Sequence, residues 1–570
     1  MKRSIIASVC SLFFSQAVHG LGVPAPYAQP READEAILAA LADPSQPETG
    51  HAFFDQYIDH KNPKLGTFKQ SYWYNATSWK GPGSPVVLIT PGEIAATGYE
   101  LFLTPAVISG LIAQEVGGAV ILIEHRYWGN STPYEVQTTK NLQYLTMDQA
   151  IADFVHFART VKLPFDVNGT GISNAPKAPW IWSGCSYPGA LGAWIESIAP
   201  GTFWATHSTS GPVEAIYDFW QYFHETQQGM PKNCSKDFSH IVDHVDRVLT
   251  HGTPKEQSNL KQLFGLQALT HNDDVGAAIS NPISAWQGMD FYAGYSEFYQ
   301  MCDAIEGFFP NSVNSTNSTK PSNSSSSCGV GLGKTLPNYA RWYKSQYLPG
   351  HCNKLGSTTW VSQMDVGCFD TYNASSPMYT DLSEANRFDR TWYWMTCNEP
   401  FFWWQTGAPA NRPTVYSRLA DSKYFQRQCE LFFPKEGNYT YGSARGKTAA
   451  EVNAKTKGWK LPEHLDAESR LLFVNGEFDP WRSASVASEF RPGGPLASSP
   501  EVPSILVPDG HHCNDLFTAD ALINPGVKRV QQEIVANMVR WTKEFYERAN
   551  HTTTTTRRGY PSLRRVRAAL

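Results

Sequence analysis

The chain has 570 residues, 41% of them hydrophobic, 13% aromatic and 17% charged, which excludes a mainly disordered polymer and allows two or three domains, or one large domain with an insertion. No apolar run approaches the roughly 20 residues a membrane-spanning helix needs. The net charge of −5 hides two basic ends: without Lys2, Arg3, Arg557, Arg558, Arg564, Arg565 and Arg567, 40 cations face 52 acids, and a body at −12 has no electrostatic reason to bind nucleic acid.

Residues 1–20, MKRSIIASVCSLFFSQAVHG, place two cations before a short apolar stretch and small residues at Val18 and Gly20, the layout of a cleavable secretory signal. Residues 21–50 follow as an N-terminal extension or pro-segment. Near-continuous apolar runs at Val86–Thr90, Ala119–Ile123, Trp180–Ser183, Leu471–Val474 and Ile505–Val507 predict buried parallel strands. Residues 145–161 carry apolar positions at helical spacing behind Thr146 as N-cap, and 528–549 form a second amphipathic helix. Strand–helix alternation predicts an α/β sheet. It is built from 51–215 and 465–550 and interrupted by a Cys- and Trp-rich, mostly helical insertion over 216–464 that includes a helix over 236–249. A Ser/Asn-rich loop lies at 311–327, and residues 551–570 read as a flexible basic tail. The tail has no apolar stretch of the kind a lipid anchor replaces.

Ten Asn-x-Ser/Thr triplets, at Asn75, Asn130, Asn168, Asn233, Asn314, Asn317, Asn323, Asn373, Asn438 and Asn550, fit a glycosylated secreted surface. Nine cysteines remain once Cys10 leaves with the signal, so an oxidising compartment pairs most of them and strands at least one. Spacing alone leaves the pairing open. No paired Cys-x-x-Cys motifs call for a structural metal, and neither a metal nor any other cofactor is expected.

The most informative segment is Trp180–Trp194, WIWSGCSYPGALGAW. A strand ends in Gly184-Cys185-Ser186-Tyr187-Pro188-Gly189 and a helix begins. This resembles the nucleophile elbow of α/β-hydrolases, with Ser186 at the apex and the Tyr187 N–H as an oxyanion donor. Pro188 departs from G-x-S-x-G, but Pro is tolerated in a first helical turn. A serine nucleophile needs a base and an orienting acid. Two later strand ends supply them in the expected order: LLFVNGEFDPW (471–481) with Glu477 and Asp479, and ILVPDGHHCNDL (505–516) with His511 and His512.

The elbow, NGEFDPW and HHCNDL together resemble the prolyl carboxypeptidase family of serine peptidases, with the strongest likeness to its secreted fungal prolyl endopeptidases. TPGE (90–93), IEHRYWG (123–129), TSGPVEAIYDFWQY (209–222), CNEPFFWWQ (397–405) and FRPGGPLAS (490–498) extend the likeness over about residues 54–547. The resemblance implies an α/β-hydrolase domain with an inserted helical, disulfide-bearing cap. It implies Ser186 as nucleophile, Asp479 as acid and His512 as base, since family histidines are followed three positions later by Asp and then Leu, as His512 is by Asp515 and Leu516. Phe517 stands where lysosomal relatives carry Arg. Cys185 stands where the family commonly has Gly, which makes it a candidate for the odd thiol. Trp481 matches a position lining a proline pocket, Glu93 and Glu399 match positions near the substrate, and Arg126 and Tyr127 brace the site. The implied activity is cleavage after proline, with alanine also accepted, in peptides or proteins at acidic pH, by a secreted enzyme or a vacuolar one. A Pro-X carboxypeptidase and a carboxylic-ester hydrolase on the same fold are the alternatives.

Overall fold

The computed structural model describes residues 48–556 apart from 168, 310–328, 356–357, 385, 387–389 and 466–467. The expected signal 1–20, residues 21–47, the loop 311–327, Asn168, Asn314, Asn317, Asn323, Cys328 and residues 557–570 lie outside the described residues, as does the side chain of Asn550.

The five expected strands all form, as β3 (Val86–Ile89), β4 (Ala119–Ile123), β5 (Trp180–Cys185), β9 (Leu471–Gly476) and β10 (Ser504–Val507). Three more join them in one eight-stranded sheet: β1 (Thr49–Tyr57), β2 (Thr67–Asn75) and β6 (Ala205–Thr209). The order is β1-β2-β4-β3-β5-β6-β9-β10. β1 and β2 form an antiparallel hairpin, β2 meets β4 antiparallel, and every later pair is parallel. The chain lays β4 on one side of β3 and then returns to place β5 on the other. That reversal opens a crevice at the carboxyl ends of β3 and β5, where sheets of this kind bind ligands.

Alternation along the strands sends side chains to two cores. Val86, Leu88, Ile121, Ile123, Trp180 and Trp182 pack toward helices α2 (Met147–Thr160) and α3 (Tyr187–Ile198). Val87, Ile89, Val120, Leu122, Ile181 and Cys185 pack toward α1 (Ile108–Val116) and α4 (Pro525–Thr556). Thr146 caps α2 by accepting from the Gln149 N–H, as its position suggested. α4 runs six residues further than the expected tail boundary. This is an α/β-hydrolase fold.

The described residues of 210–470 contribute no strand to this sheet. They carry the helices Lys232–His251, Pro254–Phe264, Asn272–Ser280, Glu297–Ile305, Leu332–Trp342 and Arg390–Asn398, and a two-stranded parallel sheet of β7 (Ile216–Asp218) and β8 (Phe402–Trp404). Cys234–Cys302, Cys352–Cys368 and Cys397–Cys429 are disulfides inside this stretch. The fourth corrects the reading of Cys185 as the odd thiol: Cys185 is bonded to Cys513 across 328 residues. Of the expected sequons, Asn75 is buried at the end of β2, and its amide nitrogen donates to Leu103 O at 2.8 Å. Asn130, Asn373 and Asn438 are exposed and Asn233 is half-buried.

Candidate active site

Ser186 is the N-cap of α3, with φ 64° and ψ −133°. A positive φ is uncommon for a residue with a Cβ and persists only where its surroundings impose it. Here the Ser186 N–H donates to Thr209 O at 3.0 Å while the chain turns into the helix. Close packing makes the turn possible: a Cβ on Gly189 would lie 2.5 Å from Thr209 O, and one on Gly184 2.3 Å from Pro188 O. Pro188 costs nothing, because an N–H in the first helical turn has no intrahelical acceptor. Gly189, one position later than the usual pattern, supplies the close approach. Ser186 Oγ caps no helix N–H and makes no hydrogen bond among the described residues.

The Thr90–Glu93 loop after β3 lies against the elbow. Gly92, at φ +79°, faces Pro188 so closely that a Cβ would come within 2.6 Å of its ring. The neighbouring phenol of Tyr187 is fully buried. Its ordinary pKa is pushed well up, first by burial and then by the charges of Glu93 and Glu399, so it stays protonated. It lies 3.2 Å from His125 Nε2, and His125 Nδ1 lies 2.9 Å from Arg126 O. Burial lowers the His125 pKa to about 4, so its neutral ring donates through Nδ1 and accepts from Tyr187.

Asp479 follows β9 and is completely buried. Its Oδ1 accepts from the Trp481 N–H at 3.0 Å and lies 2.9 Å from His512 Nδ1, while Asn475 Nδ2 donates to Oδ2 at 3.3 Å. His512 Nε2 is buried and has no hydrogen-bond partner among the described residues. His511 is turned elsewhere. Its ring packs edge-on against Trp286 at 4.4 Å and its Nδ1 faces Asn514 Oδ1. Burial lowers its pKa to about 4. Of the two histidines, the structure brings only His512 to Asp479. Glu477 accepts from the Asp509 N–H and takes no part.

Beneath the loop that carries His512, which we call the base loop after its expected role, lies a further network that no sequence motif marks. Thr209 Oγ1 donates to Asp515 Oδ1 at 2.6 Å, His207 Nε2 lies 3.0 Å from Asp515 Oδ2, and Ser183 Oγ lies 3.1 Å from His207 Nδ1. Arg126 braces the far side of the crevice. Its guanidinium donates to both Asp153 oxygens at 2.5 and 2.6 Å and to the carbonyls of Tyr57, Ile58 and Tyr144. Burial would raise the Asp153 carboxyl, but the Arg126 charge and the bonds from His60 and Arg126 outweigh it and hold it below its ordinary value. Asp153→Ala strands this guanidinium in the interior and should cost about 3–5 kcal/mol of stability. Denaturant unfolding of the variant beside the native chain checks this, and an unshifted midpoint would contradict it.

Trp481 is fully buried behind the acid. Phe219, Tyr222 and Trp403 surround its indole at 5.3–5.6 Å between ring centroids, and the His512 ring lies 6.4 Å away. Trp481 Nε1 and the Tyr222 hydroxyl both donate to Gln287 Oε1, a residue that no motif singles out. Glu93 is buried. Both Glu399 oxygens are engaged, one with Lys447 Nζ at 2.8 Å and the other with Asn398 Nδ2 at 3.0 Å.

The inserted stretch is latched to the base loop through acids. Asn514 Nδ2 donates to Met289 O and to the carboxylates of Asp290 and Asp520, and the Tyr292 N–H donates to Asp520. Burial, then the charge of Asp290, pushes Asp520 up to about 8, and burial raises Asp290 to about 7. Burial also raises Glu225 and Asp274 to about 7. A carboxyl that keeps its proton longer when folded than when unfolded makes the folded state lose stability as pH rises from its unfolded pKa to its folded one. His125 and His511 act oppositely: they favour folding above about 6.5 and lose that contribution as pH falls toward 4. Burial also raises Glu306 to about 7, raises Glu124, Glu214, Asp246, Glu297, Glu384 and Glu399, and lowers His51, His156, His224 and His244, so raised carboxyls outnumber lowered histidines up to pH 6.5 and act unopposed above it. We therefore expect a higher melting temperature at pH 5 than at pH 8, with Asp520→Asn reducing the difference. Thermal scans across that range check it, and a melting temperature that rises toward pH 8 would contradict it.

The family model for serine carboxypeptidase S28 matches residues 56–534. Serine proteases vicPb and vicPa of Bipolaris victoriae are each 45% identical to the chain, over 87% of it and 90% of the first, and over 89% of it and 91% of the second. A probable extracellular serine carboxypeptidase of Arthroderma benhamiae is 30% identical over 86% of this chain and 65% of its own length.

Proposed function

The chain belongs to the serine carboxypeptidase S28 family and is a serine-type peptidase; from that premise we propose that it is secreted and cleaves peptides and proteins on the carboxyl side of proline through Ser186, His512 and Asp479. The observation that carries this reading is the 2.9 Å contact from Asp479 Oδ1 to His512 Nδ1, which leaves the other ring nitrogen unpaired beside an elbow whose serine hydroxyl is also unpaired. Hydrogen bonds of this kind often close only once substrate is bound.

In the proposed reaction Ser186 Oγ attacks the scissile carbonyl carbon while its proton passes to His512 Nε2. Asp479 holds the Nδ1–H and stabilises the imidazolium without taking the proton. The Tyr187 N–H, at the positive end of α3, receives the developing oxyanion, and the Thr90–Glu93 loop lies where this fold supplies a second donor. Collapse breaks the C–N bond, with His512 returning the proton to the leaving amine. Water, activated by the same base, then cleaves the acyl-enzyme and restores Ser186.

Proline preference rests on the Trp481 aromatic wall. A flat apolar surface suits a pyrrolidine ring, which brings no N–H to satisfy. Glu399, tied to Lys447, serves as a wall of the substrate site more than as a free anion. Ser186 is 1% exposed, so a peptide enters only when groups above it move aside. Secretion draws support from four disulfides, exposed sequons and the extracellular relative. The raised buried carboxyls suit work at acidic pH.

Mass spectrometry of digests of a long proline-rich protein tests the reading. Internal cuts after Pro, with some after Ala, are the expected result and mark an endopeptidase. Stepwise loss from the C-terminus marks a Pro-X carboxypeptidase. Turnover of short acyl esters with no peptide cleavage would overturn the proposal.

A further inference from the structure

The residue before the nucleophile and the residue after the base are bonded to each other. Cys185 ends β5 and Cys513 follows His512, so the Cys185–Cys513 disulfide ties the elbow to the base loop one residue from each reacting side chain. Both cysteines are 5% exposed and lie in the core between the sheet, α1 and α4, on the side of β5 opposite the Trp180 and Trp182 indoles. Both sulfurs also lie within 4.8 Å of a ring nitrogen of His512. They form a disulfide, so they are not thiolates that could hold a metal. What they offer the imidazole is a rigid, apolar neighbour.

Besides their separate contacts with other segments, both loops are hydrogen-bonded to the end of β6, and no hydrogen bond among the described residues joins one loop directly to the other. The Ser186 N–H donates to Thr209 O, the Cys513 N–H donates to Ser210 Oγ at 3.0 Å, and Asp515 is held by Thr209 and His207. Ser186, Ser210 and Cys513 have φ values of 64°, 50° and 59°, in the left-handed region that residues with a Cβ leave unless neighbours over-determine them. Base and nucleophile arrive on separate crossovers 326 positions apart; the adjacent Thr209 and Ser210 anchor both through hydrogen bonds, and the disulfide joins them directly.

We propose that the Cys185–Cys513 disulfide is a positioning element of the catalytic site, setting the distance and angle between the Ser186 turn and the His512 ring. This rests on the assignment of Ser186 and His512 as nucleophile and base. A displacement of about 1 Å between reacting groups can cost about 100-fold in rate. Binding of the substrate's proline ring relies on Trp481 and its aromatic neighbours, which the tie does not touch.

The test is the double variant Cys185→Ala/Cys513→Ala in the full chain, assayed on a prolyl peptide nitroanilide well below its melting temperature. The expected result is a kcat lower by about 100-fold with KM little changed. The pH dependence of kcat/KM should also change, because the imidazole loses its fixed neighbour and its fixed position. A purely structural disulfide predicts a lower melting temperature with native kcat and a native pH profile, and that outcome overturns the proposal. Where the double alanine variant does not fold, Cys185→Val/Cys513→Ala restores part of the lost volume on the strand, away from the positive φ of Cys513, and is read the same way. If neither folds, the bond is a folding requirement and the positioning role is rejected. Ser186→Ala is assayed alongside: activity there would refute the site assignment itself, whatever the cysteine variants do.

Discussion

Ser186→Ala is expected to lower kcat on a proline-containing peptide by about 10⁶-fold, the scale on which loss of a catalytic serine acts, while the fold survives. The structure separates the two effects. Ser186 Oγ bonds to nothing among the described residues, so its removal strands no partner. The backbone that makes the elbow is held by the Ser186 N–H bond to Thr209 O and by the close approaches of Gly184 and Gly189, none of which needs the hydroxyl. A melting curve close to the native one with peptide hydrolysis at background is the result that checks this. Substantial residual turnover would remove Ser186 from the mechanism.

Asp479→Asn is the second large effect, expected at about 10⁴-fold in kcat. One oxygen, Asp479 Oδ1, serves two groups, the Trp481 N–H and His512 Nδ1, and Oδ2 accepts from Asn475. An amide that turns its NH₂ to the Oδ1 site donates to His512 Nδ1 and selects the tautomer protonated at Nε2, at the cost of the Trp481 N–H cap. His512 Nε2 then has no lone pair to receive the Ser186 proton. An amide that keeps its oxygen there sets its NH₂ against Asn475 Nδ2, and either way the charge that stabilises the imidazolium is gone. The comparison with His511→Ala is informative, because His511 packs against Trp286 and Asn514 and touches neither Asp479 nor the elbow in the described hydrogen bonding. Steady-state kinetics of both variants check the argument. A fall in kcat at His511→Ala with none at Asp479→Asn would assign the base to the wrong histidine.

Much of this architecture could be read from residue order. β3, β4, β5 and β9 are continuous apolar or β-branched runs because both of their faces are covered, and such runs stand out in a sequence. β6 does not stand out. Its residues Thr206-His207-Ser208-Thr209 are polar because two of them hold Asp515 from a segment about 306 residues later. β1 and β2 escaped for a different reason. Only two of the nine β1 residues are buried, so it shows no continuous apolar run, and its partner strand is recognisable only once β4 is in place beside it. At the site, the order serine, aspartate, histidine was visible in three strand-end loops. Two adjacent histidines could not be told apart by spacing alone, and the family likeness pointed to His512. Three dimensions add the reason, which is that Trp286 and Asn514 occupy His511. Gln287 and Asp290 gave no local signal, since each matters through partners some 190–230 positions away. Cys185 was misread because the likeness offered only a glycine at that position and said nothing of Cys513.

The measurement that bears most directly on the site is peptide mapping after reaction with a fluorophosphonate, which phosphonylates an activated serine. The predicted result is one adduct, on Ser186, formed as peptidase activity disappears, and absent from His512→Ala over the same time. An adduct on another serine, or loss of activity with Ser186 unmodified, would contradict the account.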